Sequence, residues 1–201
     1  MTKVAVYDLN ETLYHKSSKD EFFKFICYKK GYKLPHLFQL TALKFLNNID
    51  VIGKTFFKEN FYNYLDNMPP EKIEKYAEQF WGMEYPDYFH KPMVEDIKKH
   101  QKEGTLVYII TGGFEVYTKY LEKILPVEVH GTRTSYENGT YKVIGEACNG
   151  KAKVKRLKEV APSDYRLIEA YSDDKEPILD EAEKAYYVDD GEVRPLESVS
   201  D

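Results

Sequence analysis

Val4-Ala5-Val6-Tyr7-Asp8-Leu9-Asn10-Glu11-Thr12-Leu13 is a short apolar run that stops on a carboxylate and passes into a polar turn. A run of this length containing β-branched residues reads as a strand buried on both faces, as in a parallel sheet covered by helices. Asp8 then stands at the carboxyl end of that strand. In open α/β sheets ligands bind at that end, in the crevice where strand order reverses, so a carboxylate delivered there is positioned for chemistry. Asp is also an ordinary turn residue after a strand, and Asp8 alone does not decide between the two roles.

Further along the chain the same pattern recurs. Thr105 to Ile110 is a second buried strand ending on Thr111-Gly112-Gly113, after which a helix over 114–125 is expected. A hydroxyl at a strand end, followed by two glycines and a helix N-terminus, makes an anion nest of backbone N–H groups. Val127 to His130 reads as a further strand, and Asn138-Gly139 between Tyr136 and Tyr141 as a hairpin turn projecting from the core. Gly150-Lys151-Ala152-Lys153-Val154-Lys155-Arg156-Leu157 is a basic helix start in an acidic chain, a pattern that is often no more than a solvated face. Leu167 to Tyr171 is the next strand, ending on Ser172-Asp173-Asp174. Ala185 to Val188 is the last, followed by an acidic tail from Asp189 to Asp201.

Between Tyr14 and Glu95 the apolar spacing turns helical. Ser17 to Asp20 offers N-cap residues for a helix that Gly31 would stop; Pro35 opens a second, Gly53 a third running past Tyr64, and Pro69-Pro70 a fourth. The many Tyr and Phe rings in this stretch are the ordinary filling of a small helical bundle. The expected architecture is therefore α/β: a doubly wound, Rossmann-like parallel sheet core with an inserted all-helical cap. Residues 1–13 and 96–201 form the core, and residues 14–95 the cap.

Composition narrows the classes of function. The 201 residues suffice for one domain of ordinary size or for a core with an insertion. A formal charge of −5 argues against a nucleic-acid partner held by a general basic field, so any anion must be caught locally. Cys27 and Cys148, far apart and without metal-ligand spacing, fit a reduced cytoplasmic protein. No signal region precedes the first strand, and no apolar run approaches the roughly 20 residues of a membrane span.

The spacing Asp8-x-Asn10-x-Thr12 after a strand resembles the first motif of the haloacid dehalogenase superfamily, DxDxT, with Asn10 as the departure. Thr111-Gly112-Gly113 is similar to the second motif. The sweep from there through His130-Gly131-Thr132 and the hairpin to Gly150-x-x-Lys153-x-x-x-Leu157 resembles the subgroup that includes the phosphoserine phosphatases. The resemblance implies a helical cap after the first motif and a Mg²⁺-dependent phosphatase or phosphotransferase of a small phosphorylated metabolite. In it Asp8 becomes an aspartyl phosphate, while Thr111, Gly112, Gly113 and Lys153 hold the phosphate, with Lys151 as the other candidate lysine. Asp8, Asn10, Asp173 and Asp174 would be the metal residues. The family's second Asp serves as general acid and base, which the amide of Asn10 cannot do. The family also has an acid about four residues after Asp173, where Pro177 stands, so Asp174 or Glu176 would have to compensate. Two readings stay open: a phosphatase impaired at Asn10, and an inactive phosphate-binding or regulatory protein. Phosphoserine is disfavoured, because Ser17 stands where those enzymes carry a Glu for the amino group and residues 14–95 contain no Arg for the carboxylate.

Overall fold

The computed structural model describes residues 1–29 and 62–196. The helices expected from Pro35 and Gly53, the Gly31 stop and the end of the acidic tail fall wholly or partly outside these residues. The first strand, β1 (Thr2–Tyr7), lies inside a six-stranded sheet whose other members are β2 (Leu106–Phe114), β3 (Glu128–Thr132), β6 (Tyr165–Ser172), β7 (Lys184–Asp189) and β8 (Glu192–Pro195). Their order is β3-β2-β1-β6-β7-β8, with every pairing parallel except β7 with β8. The chain winds outward from β1 on one side and then from β6 on the other. Strand order therefore reverses between β1 and β6, and the crevice of a doubly wound sheet opens at their carboxyl ends.

Alternation along β1 explains why its whole run is apolar. Ala5 and Tyr7 belong to one core, with Met93, Val94 and Ile97 of α3 (Lys91–Lys102) and the inserted helical region. Val4 and Val6 belong to the other, with Leu157 of α5 (Lys151–Val160) and Ile178 and Leu179 of α6 (Pro177–Asp180). Side chains of a strand point alternately to its two faces, so a strand covered on both must be apolar at every position. The described part of the inserted region comprises α1 (Ser18–Lys29), a 3-10 turn at Tyr62–Leu65, and α2 (Pro70–Glu84), which begins with Pro at its first position as the sequence suggests.

Three expectations are corrected. The helix expected over 114–125 starts later and is divided: β2 continues through Thr111-Gly112-Gly113 to Phe114, and α4 (Glu115–Thr118) passes directly into a 3-10 turn at Lys119–Lys123. Phe114 pairs with Thr132 of β3, and the Thr132 hydroxyl donates to the Gly112 carbonyl at 2.9 Å, so strand pairing outweighs local helix preference. The tail is strand at its start, because Asp190-Gly191, both at positive φ, turn β7 back into β8. The hairpin of β4 (Thr134–Glu137) and β5 (Thr140–Val143) turns at Asn138-Gly139 as expected. It docks on the inserted region, however: Asn67 N–H donates to Gly139 O at 2.7 Å and Tyr141 Oη to Met68 O at 2.9 Å.

Candidate active site

Strand register brings the singled-out residues together. Tyr7 of β1 is level with Ile109 of β2 and with Tyr171 of β6, so Asp8 and Asp173 follow at the carboxyl ends of β1 and β6, and Thr111 stands two residues past Ile109 within the adjacent β2. Asp8 accepts from the Leu9 N–H through Oδ1 at 2.7 Å, and its other oxygen lies 3.0 Å from Lys153 Nζ. Lys153 reaches it from the first turn of α5, entirely withdrawn from solvent at 3% exposure. Its ammonium also meets Glu176 Oε2 at 2.5 Å. Burial by itself would lower the lysine pKa, but the facing Asp8 and Glu176 carboxylates outweigh it and hold the ammonium above the ordinary lysine range. Lys151 is exposed on the same helix, so Lys153 is the lysine that faces the carboxylates.

Thr12 fastens the first loop to the end of β6. Its hydroxyl donates to Asp173 Oδ1 and accepts from the Asp173 N–H, both at 2.9 Å. Burial, followed by the charge of Asp8, pushes the Asp173 carboxyl up to about 6 despite the Thr12 hydrogen bond. Burial also raises Glu176, which bonds to Lys153 and takes a longer 3.4 Å contact from Ser172 Oγ. Asp174 is exposed. Glu176 is thus the acidic group of this loop that enters the crevice, and Pro177 opens α6 directly after it. Thr12 had no assigned role from sequence, although its place in the Asp8-x-Asn10-x-Thr12 spacing was the available signal.

Asn10 turns its side chain toward the inserted helix. Its Oδ1 accepts the Ser18 N–H at 2.7 Å, satisfying one of the donors that the first turn of α1 leaves without an intrahelical partner. Thr111 is fully buried, and its hydroxyl accepts the Gly113 N–H at 3.2 Å. A Cβ on Gly113 would lie 2.8 Å from Tyr117 Oη and 2.9 Å from Thr118 Cγ2, so the close approach of α4 requires glycine here. A further group of ligand-type side chains, Asp96, His100 and Glu169, has its ligand atoms within 4.8 Å of one another on the sheet face beneath α3. Among the described residues no helix is long and apolar enough to cross a membrane.

The model of haloacid dehalogenase-like hydrolases matches residues 5–176, from inside β1 to the acidic loop after β6. The chain belongs to the haloacid dehalogenase-like hydrolases. No functionally curated protein matches it. Among solved structures the chain is similar to a protein of unknown function from Bordetella pertussis Tohama I, with TM-score 0.79 and 18% identity over 92% of this chain and 89% of that one. It is also similar to a phosphoserine phosphohydrolase-like protein from Francisella tularensis, with TM-score 0.61 and 16% identity over 92% and 86%. A phosphoserine phosphatase from T. onnurineus gives TM-score 0.57 and 14% identity over 92% and 82%. At these identities the likeness is one of fold.

Proposed function

We propose that this hydrolase is a Mg²⁺-dependent phosphatase or phosphotransferase acting on a small phosphorylated metabolite through an aspartyl phosphate on Asp8. One observation carries the reading: a fully buried ammonium, Lys153, held against Asp8 at the crevice where strand order reverses. In this reading residues 1–13 and 96–201 form the core and 14–95 the cap. Cys27 and Cys148, buried and not joined in a disulfide, suit a cytoplasmic setting.

The donor set fits a hard divalent cation. Burial and then the neighbouring Asp8 charge raise the Asp173 carboxyl, and Lys153 is already shared with Glu176. All the available groups are oxygens, as Mg²⁺ requires. Asp8, the Asn10 backbone carbonyl and Asp173 would hold it, with Asp174 or Glu176 at the edge of the site. When bound, the ion would neutralise charge on the phosphate and on the two carboxylates.

The chain's own groups supply the rest. An Asp8 oxygen attacks phosphorus, the bond to the leaving oxygen breaks, and Lys153 and Thr111 hold the equatorial oxygens while Gly112 and Gly113 keep the backbone close. Water then attacks the phosphorus of the aspartyl phosphate and regenerates Asp8. The departing oxygen needs a proton if it is an alkoxide, and Asn10 has none to give. Aryl and acyl phosphates, which leave without protonation, are therefore the favoured substrates. Phosphoserine is disfavoured by Ser17 and by the lack of Arg in 14–95.

The engagement of Asn10 with the N-terminus of α1 favours a second reading, a phosphate-binding or regulatory protein without turnover. Stopped-flow hydrolysis of an aryl phosphate with Mg²⁺ separates the two. A burst of leaving group followed by slow turnover is expected, with steady-state rate raised about 10²–10⁴-fold in Asn10→Asp and the burst abolished in Asp8→Asn. If Asn10→Asp is inert toward every ester while Mg²⁺ is bound, the second reading replaces the first.

A further inference from the structure

The sheet face beneath α3 carries a polar cluster that the chemistry at Asp8 does not use. Asp96 and His100 stand four residues apart on α3, the spacing that puts two side chains on one helix face. Glu169 and Tyr171, two apart on β6, point to the same sheet face as Tyr7 of β1. His100 Nε2 lies 3.1 Å from Glu169 Oε2 and 3.4 Å from Asp96 Oδ2. Tyr171 Oη lies 2.8 Å from that Glu169 oxygen and 3.1 Å from that Asp96 oxygen, while Tyr7 Oη donates to Asp96 Oδ2 at 2.7 Å.

The donors do not balance the charge. Tyr171 Oη has one proton for two carboxylate oxygens, and His100 Nε2 lies against the same two, so one imidazole faces a pair of carboxylates. Among the described residues the ammonium paired with this cluster is Lys184 Nζ, 3.8 Å from Glu169 Oε1 and two-thirds exposed, so it offsets little. His100 is buried, with its side chain 7% exposed, and Glu169 nearly so at 17%. Asp96 at 30% leaves a way in from solvent. A tetrahedral ion with bonds of about 2.0–2.1 Å has ligands roughly 3.3 Å apart, and the two edges running from His100 Nε2 already have this length.

We propose that Asp96, His100 and Glu169 form a zinc site that ties α3 to β6, with water completing the coordination. One imidazole and two carboxylates suit Zn²⁺ better than Mg²⁺, which avoids nitrogen ligands. Tyr7 and Tyr171 stack at 4.4 Å and donate to the carboxylates, setting their orientation. His100 Nδ1 has no partner among the described residues, so the imidazole lacks the outer hydrogen bond that is typically worth about 10–100-fold in metal affinity. The site is accordingly weaker than a dedicated structural zinc. It does not depend on turnover at Asp8.

The test is titration of the chelator-stripped full chain with Co²⁺, a coloured stand-in for Zn²⁺, in excess Mg²⁺ so that oxygen-ligand sites are filled. One equivalent should give visible ligand-field bands that Zn²⁺ displaces. Affinity should fall by more than about tenfold in His100→Gln and in Glu169→Gln, and stay unchanged in Asp173→Asn. In the unmutated protein, Zn²⁺ should shift the imidazole ¹⁵N signals of His100 and leave those of the stacked His15 and His90 in place. This arm decides the matter if the variants do not fold. Absence of uptake, bands unaltered by either substitution, or a shift at His15 and His90 in place of His100 would each overturn the site.

Discussion

Lys153→Met removes the ammonium between Asp8 and Glu176 and keeps most of the buried stem. At 3.0 and 2.5 Å, each contact is worth roughly 5–7 kcal/mol at an effective dielectric near 20. Desolvation of the three groups offsets most of that sum, so the net effect is what remains when one partner of a buried pair disappears, about 3–5 kcal/mol. Urea denaturation at pH 7.5 reads it directly. With a slope of roughly 2 kcal/mol per molar urea, the midpoint should fall by about 1.5–2.5 M. The loss depends on pH with a definite sign. Glu176 is already raised by burial and rises further without its ammonium, so lowering the pH through that range protonates it and removes the unpaired charge. The deficit should shrink by pH 5. Lys153→Met/Glu176→Gln should likewise recover part of it at pH 7.5. A midpoint within about 0.3 M of wild type, or a deficit that persists unchanged at pH 5 and in the double variant, would refute the view that Lys153 is held by these carboxylates.

Burial, then the Asp8 charge, pushes the folded-state Asp173 carboxyl up to about 6 against about 3.9 unfolded, so the native state binds the extra proton and stability falls as pH rises from about 4 to about 6. Melting curves across that window should be flatter in Asp173→Asn, and Mg²⁺ at pH 7.5 should raise the wild-type Tm; superimposable pH slopes would remove Asp173 as their source. Gly191 has φ +82° and a Cβ there would lie 2.3 Å from the His90 ring, whereas Gly104, at φ +75°, faces open space. Gly104→Ala should therefore cost only the backbone strain of about 1–2 kcal/mol and Gly191→Ala clearly more, and equal losses in urea titrations would show that the hairpin yields freely.

Features that rest on local periodicity were legible before any tertiary contact. The unbroken apolar run of β1 required burial on two faces, and Asn138-Gly139 and Pro69-Pro70 announced a turn and a helix start through their own backbone preferences. The places of Asp8, Lys153 and Asp173 could likewise be read because each follows a strand or opens a helix. Local preference failed where distant pairing competed with it: β3 drew Thr111-Gly112-Gly113-Phe114 into strand and left only a short helix. Asp190-Gly191 was a legible turn signal hidden inside an acidic run. Side-chain choices among near neighbours belonged to the tertiary structure alone. Lys151 and Lys153 sit two apart, about 200° around a helix, so only one can face the crevice, and the seating of α5 on the sheet decides which. Glu176 enters and Asp174 does not because the loop between β6 and α6 turns one inward toward Lys153. The Asp96, His100 and Glu169 cluster exists only because α3 crosses β6, a contact between segments some seventy residues apart that no local pattern encodes.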